Sequence, residues 1–269
     1  MKTLQEQFRA SKNQKIHDAD ASKKPLASGD KVQDKNSVVL LAEQIAVFQN
    51  VFYAEHKRKL LIVLQGMDTS GKDGVVTGVF GRIDPLGIRS IAFKAPTANE
   101  LEHDYLWRIH QQTPGLGEMV IFNRSHYEDV LITRVHGWID EKECERRYAQ
   151  ISDFERMLAE TGTVLVKFFL HISRDEQKNR LQERLADPDK QWKFDPKDLV
   201  ERQSWDAYQR AYEQAIRITD ADHAPWYVIP ADSKTHRNQA IAGIMLETLT
   251  QMQLAYPAPH PEFSQLKIE

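Results

Sequence analysis

A glycine-rich segment at residues 66–74 combines residue types and spacing that indicate phosphate chemistry. It reads Gly66-Met67-Asp68-Thr69-Ser70-Gly71-Lys72-Asp73-Gly74 and matches the phosphate-loop pattern G-x-x-x-x-G-K. Glycines let such a loop curl until its backbone N–H groups converge, and the lysine adds a full positive charge. The alternative is a glycine-rich turn with a surface lysine. We predict that Lys72 contacts a phosphate oxygen, and that a phosphate or nucleotide is lined by Gly66, Met67, Thr69, Ser70, Gly71, Asp73 and Gly74.

The position after the lysine departs from the usual phosphate loop. Most such loops place Ser or Thr there to bind Mg²⁺, whereas this chain has Asp73. A metal must therefore be held by another residue, and Asp68 inside the loop is the obvious replacement. A carboxylate among phosphates would repel them unless a cation lay between.

A second polar segment, residues 122–131, follows a predicted strand and reads Phe-Asn-Arg-Ser-His-Tyr-Glu-Asp-Val-Leu. In phosphate-loop enzymes this strand end usually offers a carboxylate to Mg²⁺. Here the first polar residue is Asn123, and Glu128 follows about one turn later. An amide oxygen and a carboxylate can share a hard cation. The alternative is a helix cap followed by a solvated acidic turn.

The elements that position these segments alternate between strand and helix. Short apolar runs predict strands at residues 59–64, 88–93, 119–122, 163–171 and 226–229. Helical patterns occupy residues 72–83, 98–112, 141–160, 174–186, 196–219 and 234–253, and an earlier one runs through residues 38–52. This alternation predicts an α/β fold, a phosphate-loop kinase-like parallel sheet flanked by helices. Turn-forming residues at 187–197 interrupt two helices, which predicts a helical lid insertion at about residues 178–205.

Composition narrows the class of protein further. The 269 residues carry a formal net charge of −3, which argues against nucleic acid or an anionic membrane as a partner. The single cysteine, Cys144, excludes an intrachain disulfide and a multi-cysteine metal site. No signal-peptide core and no continuous apolar run long enough for a bilayer is evident, so we expect a cytoplasmic protein. Residues 1–36 are polar and predict a flexible arm before a domain at 37–255, and residues 256–269 predict an extended tail.

Several motifs in order make the chain from about residue 38 to 255 resemble the polyphosphate kinase 2 family. They are the phosphate loop with its internal Asp68, Phe93-Lys94-Ala95-Pro96, Leu106-Trp107-Arg108, the segment 123–131, Gln191-Trp192-Lys193-Phe194, and residues 224–231. The segment 123–131 resembles the class III branch, whose members phosphorylate both AMP and ADP from inorganic polyphosphate. The chain departs from the family at Lys234-Thr235-His236-Arg237, where Lys-Trp-Tyr-Arg is common, and at residues 114–117, which lack a basic residue often found there.

The resemblance implies a role for each matching residue. Asp68, Asn123 and Glu128 would coordinate Mg²⁺, for which Mn²⁺ could substitute, while Lys72 and Arg124 would grip the transferring phosphoryl group. Asp68, Lys72, Arg124 and Glu128 would thus form the catalytic set, with Lys94 near the nucleotide. The polyphosphate path would be lined by Arg134, Arg180, Arg184, Lys193 and Arg202. The partners implied are inorganic polyphosphate and adenine or guanine nucleotides, in a dimer or tetramer.

Two other functions fit the same residues. An ATP-dependent nucleoside monophosphate kinase of the thymidylate-kinase type shares the loop, the sheet and the lid. A regulatory domain could also hold a nucleotide without turning it over. The spacing of Arg180 and Arg184 is in addition common on a solvated helix whose arginines pair with Glu176 and Glu183. The phosphoryl donor separates the two enzymes.

Overall fold

A five-stranded parallel sheet forms the centre of the computed structural model, which describes residues 2–266 and 268. The strands are β1 (Lys59–Gln65), β2 (Ile88–Ala92), β3 (Met119–Asn123), β4 (Thr163–His171) and β5 (Trp226–Pro230). Their order is β2-β3-β1-β4-β5, and Ile62 of β1 lies opposite Ile121 of β3 and Val166 of β4. The predicted parallel sheet and its five strands are confirmed.

Helices cover both faces of this sheet. The α-helices are α1 (Leu4–Phe8), α2 (Lys31–Glu55), α3 (Lys72–Phe80), α4 (Ala98–Leu101), α5 (Trp107–His110), α6 (Ile132–Val135), α7 (Glu141–Glu160), α8 (Arg174–Ala186), α9 (Lys197–Gln203), α10 (Trp205–Thr219) and α11 (Lys234–Gln251). One core cluster joins α2, α3 and α11 to one face, and a second joins α7 and α10 to the other. Because both faces are covered, β1 is apolar throughout its centre, and every side chain from Leu60 to Leu64 is fully buried.

The two polar segments lie together because of this strand order. All strands are parallel, so their carboxyl ends share one edge of the sheet, where α/β proteins place ligands. The phosphate loop follows β1, and the segment beginning at Asn123 follows β3, which pairs directly with β1. The topology therefore brings both candidate segments to one edge.

The N-terminal segment is packed, which corrects the prediction of a flexible arm at residues 1–36. Helix α1 begins with a capping box between Thr3 and Glu6, and Phe8 is only 6% exposed. The backbone N–H of Ala10 donates to the carbonyl of Trp226 in β5. Helix α2 begins at Lys31, six residues before the predicted domain boundary. A few apolar side chains dock the segment, although its average composition is polar.

Two predicted helices are interrupted. The pattern at 98–112 forms only the short helices α4 and α5, because Asp104 accepts a hydrogen bond from the Leu106 N–H and turns the chain between them. The pattern at 196–219 breaks at Ser204 into α9 and α10. Residues 187–196 connect α8 to α9 within the predicted lid, and the movement of that segment stays a prediction.

Helix α2 bears on the prediction about membranes. Among the described residues it alone has the length and apolar composition of a membrane-spanning helix, a property that the short apolar runs of the sequence did not predict. Ala42, Ile45 and Phe52 on α2 are nevertheless buried in the core, and a helix of the protein core can have the same length and composition.

In the C-terminal tail, Tyr256 and Phe263 are exposed, whereas residues 267 and 269 lie outside the described part of the chain.

Candidate active site

The phosphate loop has the curled backbone that its glycines predict. Gly66, Thr69 and Gly71 all have positive φ, at 152°, 63° and 98°. A Cβ on Gly66 would lie 2.7 Å from the carbonyl oxygen of Leu170, so no side chain fits there. Helix α3 begins at Lys72 without a capping side chain, which leaves its first N–H groups facing the loop.

Lys72 folds back over this loop. Its Nζ donates to the carbonyl of Gly66 at 2.7 Å and to that of Met67 at 3.3 Å. Burial and the neighbouring Arg124 lower the pKa of Lys72, while Asp68 and Glu128 act in the opposite direction. In the loop itself, the hydroxyls of Thr69 and Ser70 are buried without a hydrogen-bond partner among the described residues. Unpartnered buried donors beside a lysine suit a phosphate group.

Arg124 joins the two strand ends. It is the residue directly after β3, and its φ of 61° lies in the left-handed region that non-glycine residues rarely adopt. This conformation brings its Nη2 to 2.6 Å from Asp68 Oδ1 in the phosphate loop. Beside it, the Asn123 amide donates to Asp73 Oδ1 at 2.7 Å. Side chains from residues 68–73 and 123–124 thus meet across the sheet edge.

Glu128 completes the cluster of charges. It lies in a short 3₁₀ turn, His126–Val130, which Ser125 caps by accepting a hydrogen bond from the Tyr127 N–H. With its amide oriented to satisfy its neighbours, Gln65 donates to Glu128 Oε1 at 3.0 Å. Burial raises the pKa of Glu128, whereas Arg124 and Lys72 lower it. The carboxylates of Asp68 and Glu128 therefore both interact electrostatically with the same two cations, those of Lys72 and Arg124.

A magnesium ion fits these residues only in part. Across the described chain, no group of three His, Cys, Asp or Glu side chains is arranged to hold a metal. The amide of Asn123 is turned toward Asp73, and Arg124 occupies one oxygen of Asp68. Mg²⁺ is commonly bound through one or two carboxylates, with waters and substrate phosphates completing its shell. Asp68 and Glu128 can supply those carboxylates, and their mutual repulsion would be relieved by a cation.

Three of the predicted lid cations, Arg184, Lys193 and Arg202, have partners that the structure shows. Arg184 lies 3.5 Å from Asp198 of α9 and donates to the carbonyl of Lys193. Lys193 is stacked over the exposed ring of Trp192. Arg202 donates to Gln177 Oε1 at 2.7 Å, and the amide of Gln177 reaches the carbonyl of Asp68. Arg184 and Arg202 are thus connected to the site through their partners.

The structure does not support the prediction that Arg180 and Arg134 line the polyphosphate path. Arg180 is 5% exposed, and its guanidinium donates to Glu176 and to the carbonyls of Thr69, Ser70, Ala231 and Asp232. All five of its donors are therefore used, two of them in hydrogen bonds to the phosphate loop. Arg134 is directed to Glu141 and the thiol of Cys144 on α7. Lys94 is exposed at the end of β2, and its carbonyl accepts from Arg108.

Two residues at the site were missed from the sequence. Tyr212 of α10 is buried, and its hydroxyl accepts a hydrogen bond from the backbone N–H of Gly66. Burial raises the pKa of this hydroxyl, and the nearby carboxylates of Glu128 and Asp68 raise it further. Asp198 of α9 faces Arg184, and burial together with the nearby Asp68 raises its pKa to about 6. Tyr212 matches the apolar pattern of its helix and Asp198 stands in an acidic, turn-rich segment, so neither carries a local signal.

Comparison with known proteins gives concordant matches. A family model described as polyphosphate kinase 2 matches residues 28–257. An AMP/ADP-polyphosphate phosphotransferase of Meiothermus ruber is 49% identical over 241 residues, 90% of each chain. An ADP-polyphosphate phosphotransferase of Rhodopseudomonas palustris is 37% identical over 97% of this chain and 95% of its own. The crystal structure of polyphosphate kinase 2 from Arthrobacter aurescens TC1 superposes with a TM-score of 0.92 at 44% identity, covering 96% of this chain and 93% of that one.

Proposed function

The chain belongs to the polyphosphate kinase 2 family, and from that premise we propose that it is a polyphosphate-dependent nucleotide phosphotransferase. More finely, it transfers the terminal phosphoryl group of inorganic polyphosphate to AMP and to ADP, in a reversible reaction. One observation carries the proposal: two cations and two carboxylates lie close together at one edge of the sheet. They are Lys72, Arg124, Asp68 and Glu128. Such a site binds strings of phosphate and neutralises their charge.

Phosphoryl transfer depends on position and charge more than on covalent chemistry. Lys72 and Arg124 contact the oxygens of the transferring group and stabilise the charge that develops there. Mg²⁺, held by Asp68 and Glu128 with Asn123 beside them, would neutralise phosphate charge and align donor with acceptor. The acceptor is a phosphate oxygen that is already anionic, so no strong base is required. The buried hydroxyls of Thr69 and Ser70 donate to a bound phosphate.

The lid controls the access of water to the site. Residues 178–205 carry Arg184, Lys193 and Arg202, which draw the polyphosphate chain over the site. Closure of this segment excludes water and so suppresses simple hydrolysis of polyphosphate. Arg180 holds the loop from behind, so that the N–H groups of the loop stay directed at the phosphates.

The alternative, an ATP-dependent nucleoside monophosphate kinase, is not favoured, because the relatives matched over most of this chain are named for polyphosphate. A cytoplasmic dimer or tetramer is part of the proposal. The exposed side chains of Val32, Leu40 and Val47 on α2 offer apolar surface for such an assembly. Light scattering on the purified protein gives the assembly state.

One incubation tests the function. Purified protein, Mg²⁺ and polyphosphate are mixed with AMP or with ADP, and all nucleotides are followed by chromatography. ADP from AMP and ATP from ADP are expected. Product from only one acceptor would correct the substrate range, and product only when ATP replaces polyphosphate would establish the nucleotide kinase instead. Omitting Mg²⁺, or replacing it with Mn²⁺, tests the metal.

Variants locate the chemistry in the phosphate loop. Loss of one cation that stabilises the transferring group costs roughly 10²–10³-fold in rate. We therefore expect Lys72→Ala, Asp68→Ala and Arg124→Ala to lose nearly all turnover while their circular dichroism and melting curves stay native. Lys57→Ala is the matched control, an exposed lysine just before β1 at the opposite end of the strand. Normal turnover in Asp68→Ala would refute its assignment as a metal ligand.

A further inference from the structure

Arg237, in the first turn of α11, lies buried behind the phosphate loop. Only 2% of the surface of this residue is exposed to solvent. Its Nη1 donates to the carbonyl of Ser70 at 3.1 Å, and its Nε and Nη2 donate to the side chain of Asn238. Among the residues that the structure describes, no carboxylate lies within ion-pairing distance of this guanidinium. Arg237 is therefore a buried cation with only neutral partners.

The contact between Arg237 and the loop is close. A Cβ on Gly71 would lie 1.8 Å from Arg237 Nη1, and a Cβ on Gly74 would lie 2.9 Å from Nη2. The guanidinium thus fills the space that side chains at these two loop positions would occupy. These glycines face an arginine of α11, so they do more than shape the loop for phosphate.

Electrostatics makes this position unfavourable in the free protein. Burial, together with the neighbouring guanidinium of Arg180, lowers the pKa of Arg237 to about 9. Arg180 has Glu176 as a counter-charge, whereas Arg237 has none in the part of the chain that the structure describes. A buried cation without a counter-charge destabilises a fold, and replacing it by an apolar residue of similar size is often neutral or stabilising. Retention of such a charge is explained if its counter-ion arrives with a ligand.

We propose that Arg237 is a positioning residue of the phosphate loop, whose buried charge is balanced by the phosphates of the bound substrate on the other side of the loop. This inference rests on the proposed function for the identity of that anion. It makes Arg237 unfavourable for the stability of the free protein and favourable for binding. A residue that merely braces the loop would instead stabilise the free protein and leave the affinity unchanged.

Arg237→Met separates these roles, because methionine keeps length and apolar volume without charge. Ser70 retains a hydrogen bond from Arg180, and the Asn238 amide retains its bond to Gly74, so the loop keeps its other supports. A unit charge about 10 Å from a phosphate, at an effective dielectric constant of about 20, corresponds to roughly tenfold in affinity. We expect the ligand-free variant to melt at or above the wild-type temperature, and its Kd for tripolyphosphate to rise roughly tenfold at fixed ionic strength.

Two further variants complete the experiment. Arg237→Lys keeps the charge and should restore most of the tripolyphosphate affinity, whereas Arg156→Met, at an exposed arginine of α7, should change neither quantity. A lower melting temperature or failure to fold in Arg237→Met, an unchanged Kd, or no rescue by lysine would each overturn the inference. If wild-type protein neither binds tripolyphosphate nor forms ATP, the proposed function itself fails. If wild type does both and Arg237→Met matches it, only the inference fails.

Discussion

Removal of the buried lysine of β4 should destabilise the protein strongly. Lys167 is fully buried, and its ammonium donates to Glu155 of α7, to the hydroxyl of Tyr127 at 2.9 Å and to the carbonyl of Thr219 at 2.9 Å. Burial alone would raise the pKa of the Glu155 carboxyl, but Lys167 and His126 hold it below its ordinary value. Lys167→Met leaves that carboxylate buried without its cation.

The expected size follows from this burial. Loss of one partner of a buried ion pair costs about 3–5 kcal/mol, because the other charge stays desolvated. For a chain of this length each kcal/mol lowers Tm by about 2–4 °C, so Lys167→Met should melt about 10 °C below wild type. The kcat should fall as well, because Tyr127 precedes Glu128 in the same short turn. Thermal melts and steady-state kinetics on the same preparation measure both quantities.

Two variants isolate the cause. Glu155→Gln combined with Lys167→Met removes both charges and should recover much of the lost Tm, since no unpaired charge remains. Arg156→Met, next to Glu155 but with an exposed ion pair, should change stability by less than about 0.5 kcal/mol. A carboxyl whose pKa is lowered by folding stabilises the fold above its ordinary, unfolded-state pKa. This stabilisation is lost as the pH falls from there through the lowered folded-state pKa, so the deficit should shrink in acid. A Lys167→Met protein that melts within about 2 °C of wild type would refute the reasoning.

Three further predictions concern the lid and the N-terminal segment. Arg184→Ala should raise the KM for polyphosphate about tenfold with little change in kcat, since a charged hydrogen bond is lost; an unchanged KM in steady-state kinetics would remove Arg184 from the path. Asp198 has a pKa of about 6, so its ionised form competes with polyphosphate for Arg184 at higher pH. Asp198→Asn should therefore lower that KM about two- to fivefold near pH 8, and the difference should vanish near pH 5 in a pH series. Phe8→Ala should cost about 3 kcal/mol in urea denaturation, because Phe8 packs in the core, whereas no change would indicate a loose arm.

The fold could be predicted from the periodicity of apolar residues, because the pattern that marks each strand lies within a few consecutive residues. Each strand of this sheet is a short apolar run, and burial on both faces makes such runs easy to recognise. The errors arose where a few contacts outweigh the average pattern. Phe8 and Ala10 dock a polar segment onto β5 and α11, and Asp104 interrupts what otherwise resembles a helix. Such contacts depend on partners that are distant in the sequence.

The sequence by itself determined the phosphate loop, the strand-end motif and the family, because each is a contiguous arrangement with its own backbone requirements. Only the tertiary structure decided what each arginine does. Arg124, Arg180 and Arg237 are indistinguishable in the sequence, yet Arg124 pairs with Asp68 and Arg180 donates two of its five hydrogen bonds to the phosphate loop. Arg237 is buried with no counter-charge among the described residues. A guanidinium acts according to the acceptors within about 3 Å of it. The acceptors that these three arginines contact in the phosphate loop lie 56 to 167 residues away from them in the chain.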